Sequence, residues 1–401
     1  MARLVDVAPS GPLALPTTGI GSGWEPAAIM TLTLLLLSLG LVTLYSASGF
    51  LAQGQAFPDY YYVLRQATGA VVGLAILGVC ALIPHDVWRK LAWPMVVVAC
   101  LLLLIVIAPG TESFAPLVKG ARRQLFIGIN FQPSELAKVA LVVWTAALAV
   151  RKQEEFSSLK RGLAPFLVVW AALLVPIALE PDLSTAFLLG ATGCLVVYVA
   201  GARVTHFLFL GLLAVPALYT QLGVAFRARR IESYLNPLAD LDGAGFQVHQ
   251  SLLAFGSGGV GGVGFGQGRQ KLGFLPEAHN DFIFAMIGEE WGLLGAIATV
   301  SLYLLLVLVG FRVAARAPDL FGQLLAVGLT SLIAMQAILH MAVGLGLVPA
   351  TGLALPLISY GRSNLLVTLA SLGMLMSISR ASERPRPIGR GTLPVGRRAR
   401  A

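Results

Sequence analysis

Read for its hydrophobic and polar positions, the chain falls into apolar runs of helix length, separated by short polar connections that carry most of its prolines and charges. Runs of the roughly 18–25 residues needed to cross a ~30 Å hydrocarbon core lie near 27–48, 66–84, 91–108, 133–150, 163–179, 183–200, 205–225, 281–311, 320–347 and 356–379. The runs are continuous rather than alternating in short strands, and a span must satisfy every backbone N–H and C=O internally, so the pattern predicts helices and argues against a barrel. The expected fold is an all-α integral membrane protein of about ten transmembrane helices, with one long extracytoplasmic loop, residues 226–280, between helices 7 and 8.

Composition strengthens this picture. With 57% hydrophobic and 12% charged residues and a mean hydropathy of +0.82, a water-soluble fold is excluded. Residues 1–25 carry proline, glycine and two acids where a signal peptide needs an apolar core, so no cleaved leader is expected and the first span stays. The chain divides into a cytoplasmic N-terminal segment 1–26, a helical domain 27–379 and a basic cytoplasmic tail 380–401. Lysine and arginine concentrate around 89–90, 151–161 and 312–316 and in that tail, so the positive-inside rule places both termini in the cytoplasm and 226–280 outside. The net charge of +9 sits mostly in the tail, for which an anionic inner leaflet is a nearer partner than nucleic acid. Cys80, Cys100 and Cys194 fall within spans, too few and too buried for a disulfide framework or a metal site.

Two extramembrane segments are long enough to carry chemistry. Residues 109–132 hold Glu112, Lys119, Arg122 and Arg123; residues 226–280 open with Arg227, Arg229 and Arg230 and contain GSGGVGGVGFGQG from Gly256 to Gly268. No strand precedes this glycine-rich stretch and no Gly-Lys-Ser/Thr follows it, so a nucleotide site is not expected. It reads either as backbone that passes close to other elements with positive φ in places, or as a plain flexible loop.

Charges inside spans cost several kcal/mol, roughly 2.5–3.5 by insertion data, and so point to function. Glu135 and Lys138 stand at i and i+3 after Pro133, where they neutralise each other in a role that is equally structural or functional. Asp281 sits where the outer loop meets the eighth span, with Arg269 and Lys271 its nearest basic neighbours in the chain. It suits a general base at the rim of a hydrated cavity, and Asn280 or Asp281 equally suits a helix N-cap. On one continuous helix running from Asp281, Glu289 would lie about 80° round from Asp281 and Glu290 nearly opposite Asp281, so the two could not serve one pocket. His340 and Arg362 are intramembrane polar groups without evident partners. His249 and His279 read as solvated or capping, and His85 and His206 have no role by position.

Several strings, in order, give a more specific signal: LYSAS from Leu44, QPSELAK from Gln132, EPDLSTA from Glu180, QSLLAFGSGGVGGVGFGQGRQK from Gln250, LPEAHNDFIFAMIGEE from Leu275 and LPLISYGRSN from Leu355. Over residues 30–380 the chain resembles the shape, elongation, division and sporulation family of bacterial cell-wall proteins. The Ile287–Gly288 step and the LPLISYG form are nearer its FtsW branch than its RodA branch. The resemblance implies a peptidoglycan glycosyltransferase, inverting at the anomeric carbon, that polymerises lipid II at the outer face of the bacterial cytoplasmic membrane. It implies work beside a class B penicillin-binding protein transpeptidase and other divisome or elongasome membrane proteins, with no nucleic acid.

By motif, the resemblance assigns catalysis to Asp281 and an intramembrane acid–base pair to Glu135 and Lys138, and it matches Arg123 to an arginine of the family. Arg123, Glu135, Lys138, Lys271 and Arg227 are then the candidate substrate-binding residues. No cofactor or metal site is specified by the residues; a divalent cation, Mg or Mn, would suit a pyrophosphate, although no acidic cluster calls for one. Three positions depart from the family pattern: Gln124 in place of tryptophan, Asn280 in place of threonine, and GRSN from Gly361 in place of GGSS, which puts Arg362 into an otherwise neutral motif. Two rival readings are a lipid II flippase, for which the buried Glu135 and Lys138 would suit a polar pathway, and a non-catalytic scaffold for the penicillin-binding protein.

Overall fold

The computed structural model describes residues 23–117, 121–126, 130–156, 158–212, 232, 234 and 244–382. Arg227, with Lys119, Arg229 and Arg230, lies outside the described residues, as do the first 22 residues and the tail from 383. The helices are α1 (Glu25–Gly54), α2 (Tyr61–Leu82), α3 (His85–Ile107), α4 (Pro133–Lys152), α5 (Ala164–Leu179), α6 (Leu183–Val199), α7 (Ala244–Gly258), α8 (Ile283–Glu290), α9 (Gly292–Arg316), α10 (Leu320–Gly344) and α11 (Arg362–Ser382). Two short antiparallel strands, β1 (Leu125–Phe126) and β2 (Asn130–Phe131), pair before α4.

Eight of the described helices are long and apolar enough to cross a membrane, and α6 is a shorter apolar helix. Residues 204–212 are also helical and begin the expected seventh span, whose remainder lies outside the described residues. Burial separates the helices into two groups. Over their apolar windows α4, α10 and α11 are 78%, 78% and 67% buried, against 33% for α2, 28% for α3 and 33% for α9. The first three therefore form the centre, and the others turn an apolar face outward, where lipid is the matching solvent. Small residues allow close approach: a Cβ at Gly373 of α11 would lie 2.4 Å from the Leu77 carbonyl oxygen of α2, and one at Gly73 would meet Leu369 at 2.3 Å.

The expected eighth span, continuous from Asp281, is not what forms. The chain makes the short helix α8, breaks at Trp291, and restarts as α9 with Gly292 at φ +65°. Such a break exposes carbonyls at one helix end and N–H groups at the next. The glycine-rich stretch supplies both: Val263 and Gly264 N–H groups donate to the Glu289 and Glu290 carbonyls (3.0 and 3.2 Å), and Leu293 and Leu294 donate to the Gly259 and Val260 carbonyls (2.9 and 3.2 Å). The approach is close enough that a Cβ at Gly262, where φ is +80°, would lie 2.2 Å from the Glu290 oxygen. The close-backbone reading of these glycines therefore holds, and the plain-loop reading does not. Within the segment expected as a loop, residues 244–258 are helix α7, whose Phe255 occupies the space a side chain at Gly288 would need. The last span likewise begins at Arg362 rather than near 356, and α2 begins at Tyr61, taking in Arg65.

One end of the bundle is tied by charge. Arg312 and Arg316 reach Glu25 at 3.0 and 2.8 Å, and His85 Nε2 lies 3.3 Å from Asp319. The opposite end, where α4 and α11 begin and α5 and α10 finish, carries the cavity described below.

Gly262→Ala combines a left-handed backbone with a clash against the Glu290 carbonyl and is expected to cost roughly 1–3 kcal/mol. Gly261→Ala, with nothing within 4 Å of its Cβ, should stay within about 0.5 kcal/mol; thermal unfolding of the two purified variants checks the difference.

Candidate functional site

A cavity of about 410 Å³ opens at this end, lined by Arg65 of α2, Arg123 and Gln124 before β1, Gln132 and Glu135 at the start of α4, and Asp182 and Thr185 at the start of α6. Asn280, Asp281, the segment 351–354 and Tyr360–Asn364 complete the wall. It thus gathers Asp281, Arg123 and Glu135 from segments far apart in sequence.

Asp281 lies in a tight turn rather than on a helix. The N–H groups of Asn280, Asp281 and Phe282 all point to the Glu277 carbonyl (3.0, 3.0 and 3.4 Å), with Glu277 itself at φ +56°. The N-cap of α8 is Phe282 and no side chain caps it, so the capping alternative for Asn280 or Asp281 does not hold. The turn is held against the LPLISYG segment: Ser359 Oγ donates to the Asn280 carbonyl at 2.8 Å, and Tyr360 N–H donates to the His279 carbonyl at 3.2 Å. Gly352, at φ +72°, leaves room for the Asp281 carboxylate, whose Oδ2 would lie 3.9 Å from a Cβ there.

Arg123 is fixed by main-chain acceptors, donating from Nε to the Glu180 carbonyl (2.9 Å) and from Nη2 to the Pro181 carbonyl (2.7 Å). Its positive charge is therefore positioned without being cancelled by these contacts. Glu135 and Lys138 form the expected pair at 2.8 Å and are buried. Lys138 Nζ also donates to Gln336 of α10 (3.1 Å), and Asn364 of α11 donates to the other Glu135 oxygen (3.1 Å). Glu135 faces the cavity, and Lys138 stands behind it.

Lys271 is not brought to this cavity. Its Nζ lies 2.8 Å from Glu290 and 2.6 Å from Ser46 Oγ, at a second cavity of about 340 Å³ that includes Tyr45, Asp59 and Phe265. Neither Glu289 nor Glu290 lines either cavity, and the two meet the same stretch of chain instead. Glu289 accepts from the Arg269 and Gln270 N–H groups (2.8 and 3.3 Å) while Glu290 takes Lys271, so both carboxylates fasten the 269–271 segment. Both acids are the last residues of α8, ahead of the break at Trp291, and the 269–271 segment reaches both.

Several residues were not singled out from sequence. Arg65 and Tyr360 line the cavity, and Asp182 both lines it and caps α6, accepting from Thr185 N–H and Oγ1 (3.2 and 2.9 Å). Glu180, just beyond the end of α5, is 1% exposed, and neither carboxylate oxygen has a hydrogen-bond partner among the described residues. Burial pushes its carboxyl up to about 8, with Asp182 adding to the rise and Arg123 opposing it. Two acids flanking a proline at the end of an apolar run were the available signal. His340 donates from Nδ1 to the Leu353 carbonyl at 2.7 Å and so supports the cavity wall. Among the described residues, the trio able to bring three metal-ligand atoms within 4.8 Å is His85, Asp86 and Asp319, at the far end of the bundle.

The arrangement holds three carboxylates, of Glu135, Asp182 and Asp281, and the guanidinium groups of Arg65, Arg123 and Arg362 around a space large enough for a charged ligand headgroup. The chain as a whole is similar to several known proteins. A family model described as FTSW_RODA_SPOVE, cell cycle protein, matches residues 27–384. A probable peptidoglycan glycosyltransferase FtsW of Geobacter metallireducens is 43% identical over 353 residues, covering 88% of this chain and 93% of that one. Stage V sporulation protein E of Bacillus subtilis is 38% identical over 357 residues, covering 88% and 96%. A chain from a structure described as the structural coordination of polymerization and crosslinking by a peptidoglycan synthase complex superposes with a TM-score of 0.73 at 30% identity, covering 92% of this chain and all of that one. Rod shape determining protein RodA of Thermus thermophilus superposes at 0.65 with 27% identity, covering 91% and 99%.

Two outcomes follow from the buried acids. Lys138→Met alone leaves Glu135 buried without its cation and should destabilise by about 3–5 kcal/mol, whereas the double change Glu135→Gln with Lys138→Met should recover much of that loss; denaturation of both variants measures it. For Glu180 the folded state holds its proton more tightly than the unfolded chain, so its contribution is full below the ordinary carboxylate range near 4.3. That contribution is lost as pH rises through about 8. The unfolding midpoint of wild type should therefore decline between about pH 5 and 8 more steeply than that of Glu180→Gln.

Proposed function

The chain belongs to the FTSW_RODA_SPOVE family of cell cycle proteins, and we propose that it polymerises lipid II into glycan strands at the outer face of the cytoplasmic membrane, with Asp281 as general base. It is a multi-pass membrane protein and a peptidoglycan glycosyltransferase of that family. The observation that carries the site assignment is that Asp281 shares one cavity, at the ends of the membrane helices, with Arg65 and Arg123.

Glycan transfer from a lipid-linked pyrophosphate asks for two things. A sugar hydroxyl is a poor nucleophile, so a carboxylate within reach takes its proton as the new bond to the anomeric carbon forms. In this reading Asp281 accepts the proton of the acceptor's 4-hydroxyl. The bond between the anomeric carbon and the pyrophosphate oxygen breaks, and the electron pair leaves with the pyrophosphate. The charge developing there needs fixed cations, which Arg123 supplies first and Arg65 second. Attack opposite the leaving group inverts the anomeric centre. Glu135 and Lys138 shape the inner wall as a neutral pair, and Lys271 holds the 269–271 segment through Glu290 rather than touching substrate. A divalent ion accompanying the pyrophosphate would draw most of its ligands from phosphate and water.

Orientation follows from charge. Arg89, Lys90, Arg151, Lys152, Lys160, Arg161, Arg312 and Arg316 lie towards the end opposite the cavity, so the positive-inside rule directs the cavity outward and both termini inward. We assign the class B penicillin-binding protein as partner, with a role in septal wall synthesis, on the strength of the FtsW-like relatives and the synthase complex.

Polymerisation of lipid II by the purified protein with its cognate penicillin-binding protein tests the reading. Wild type is expected to make long glycans and a folded Asp281→Asn variant to lose about 10²–10⁴-fold in rate. Equal polymer from both would remove Asp281 as base, and none from either would favour transport or scaffolding.

A further inference from the structure

Arg362 is unlike the other arginines of the cavity. It is the first residue of α11 and lines the cavity with Arg65 and Arg123. Arg123 is tied to two carbonyls and Arg65 donates to the Tyr61 hydroxyl at 2.7 Å. Among the described residues the Arg362 guanidinium has no hydrogen-bond or ion-pair partner. A cation at a helix N-terminus also opposes the helix dipole, which favours negative charge there. The Arg362 guanidinium is thus left available to an anion from outside the chain.

The position is built rather than incidental. The backbone is pinned on both sides of Arg362: Gly361 N–H donates to Gln66 Oε1 at 3.3 Å, and Ser363 Oγ accepts from Gln132 N–H at 3.1 Å and donates to the Asn130 carbonyl at 3.2 Å. Its aliphatic stem runs over Gly69 of α2, where a Cβ would lie 3.3 Å from Cγ and 3.7 Å from Cδ. Arg362 and Asp281 line the same cavity. A planar guanidinium with unused donors suits bidentate contact with phosphate oxygens.

We propose that Arg362 is an anion-binding residue of this cavity and holds the pyrophosphate of the lipid-linked donor, a charge this chain carries in a motif otherwise neutral. The assignment rests on the glycosyltransferase reading for the identity of the donor, and on the geometry alone for the anion subsite. Arg362 binds the donor before reaction, so its loss acts mainly on KM, in contrast to loss of the base at Asp281.

The test uses the full chain in nanodiscs of uncharged phospholipid, as wild type, Arg362→Gln and Arg362→Lys. Two measurements are made: a thermal shift on titration with a short-chain polyprenyl pyrophosphate, and kcat and KM for lipid II polymerisation beside the cognate penicillin-binding protein. Arg362→Gln should weaken the pyrophosphate-induced shift about tenfold in apparent affinity and raise KM by a similar factor with kcat little changed, and Arg362→Lys should recover part of both. Equal affinity and equal KM in wild type and Arg362→Gln would overturn the proposal. A pyrophosphate shift abolished by phosphatidylglycerol in the nanodisc would overturn the donor assignment in favour of a general phospholipid headgroup site. Wild type that binds the pyrophosphate through Arg362 but makes no polymer would uphold the anion subsite and count against the glycosyltransferase reading instead.

Discussion

An ammonium group buried between membrane helices is tolerable only where it is paired, and Lys138 is held in a network that joins three central helices. Its charge is neutralised by Glu135 on α4, its remaining donor capacity reaches Gln336 on α10, and the second Glu135 oxygen is taken by Asn364 on α11. Gln336 in turn donates to the Ala354 carbonyl at 2.8 Å, which fixes the segment forming the cavity wall. The register of α4, α10 and α11, and with it the placement of Gln132, Ser363 and Arg362 at their ends, depends on this one network. With Glu135 neutralised by Lys138, the charges that remain around the cavity are those of the arginines, Asp182 and Asp281.

The second constraint is the backbone of the broken helix. Low-dielectric surroundings penalise unpaired N–H and C=O groups, so the break at Trp291 requires a matching strip of chain, and the glycines from Gly258 to Gly264 are that strip. Their lack of side chains lets carbonyl and N–H groups meet at hydrogen-bonding distance. Glu289 and Glu290 then fasten the following residues, so α7, the glycine strip and α8 form one unit packed into the bundle. Because α8 is short and starts after Phe282, the chain before it is free to make the turn around Glu277 that presents Asp281. The late start of α8 has a functional consequence: the acid stands on a turn at the cavity rim rather than on the side of a helix.

Much of this was legible in the chain itself. Long apolar runs fix the spans because hydropathy is the only property the bilayer selects strongly, and the Glu135–Lys138 pair is legible because its i, i+3 spacing makes the contact local. Asp281 is legible as a costly charge at a membrane boundary. The break at Trp291 is not, since residues 281–311 read as one apolar run and the partner that satisfies the break lies some thirty residues earlier in the chain. Lys271 was drawn to Asp281 by nearness in sequence, but its partner is Glu290, reached only after the chain reverses. Arg65, Asp182 and Tyr360 come from three separate connections, and no local pattern says that they share a wall with Asp281.

The central claim is that the cavity beside Asp281 opens to the outer face and receives the lipid-linked donor. Thr351 lines it and takes no part in the proposed chemistry. With Cys80, Cys100 and Cys194 replaced, a Thr351→Cys protein in oriented vesicles offers the most direct measurement: the rate of modification by a membrane-impermeant thiol reagent applied from each side, with and without lipid II. Rapid labelling from the outer side alone, slowed by lipid II, is the predicted result. Labelling from the cytoplasmic side alone, or a rate indifferent to lipid II, would contradict the account.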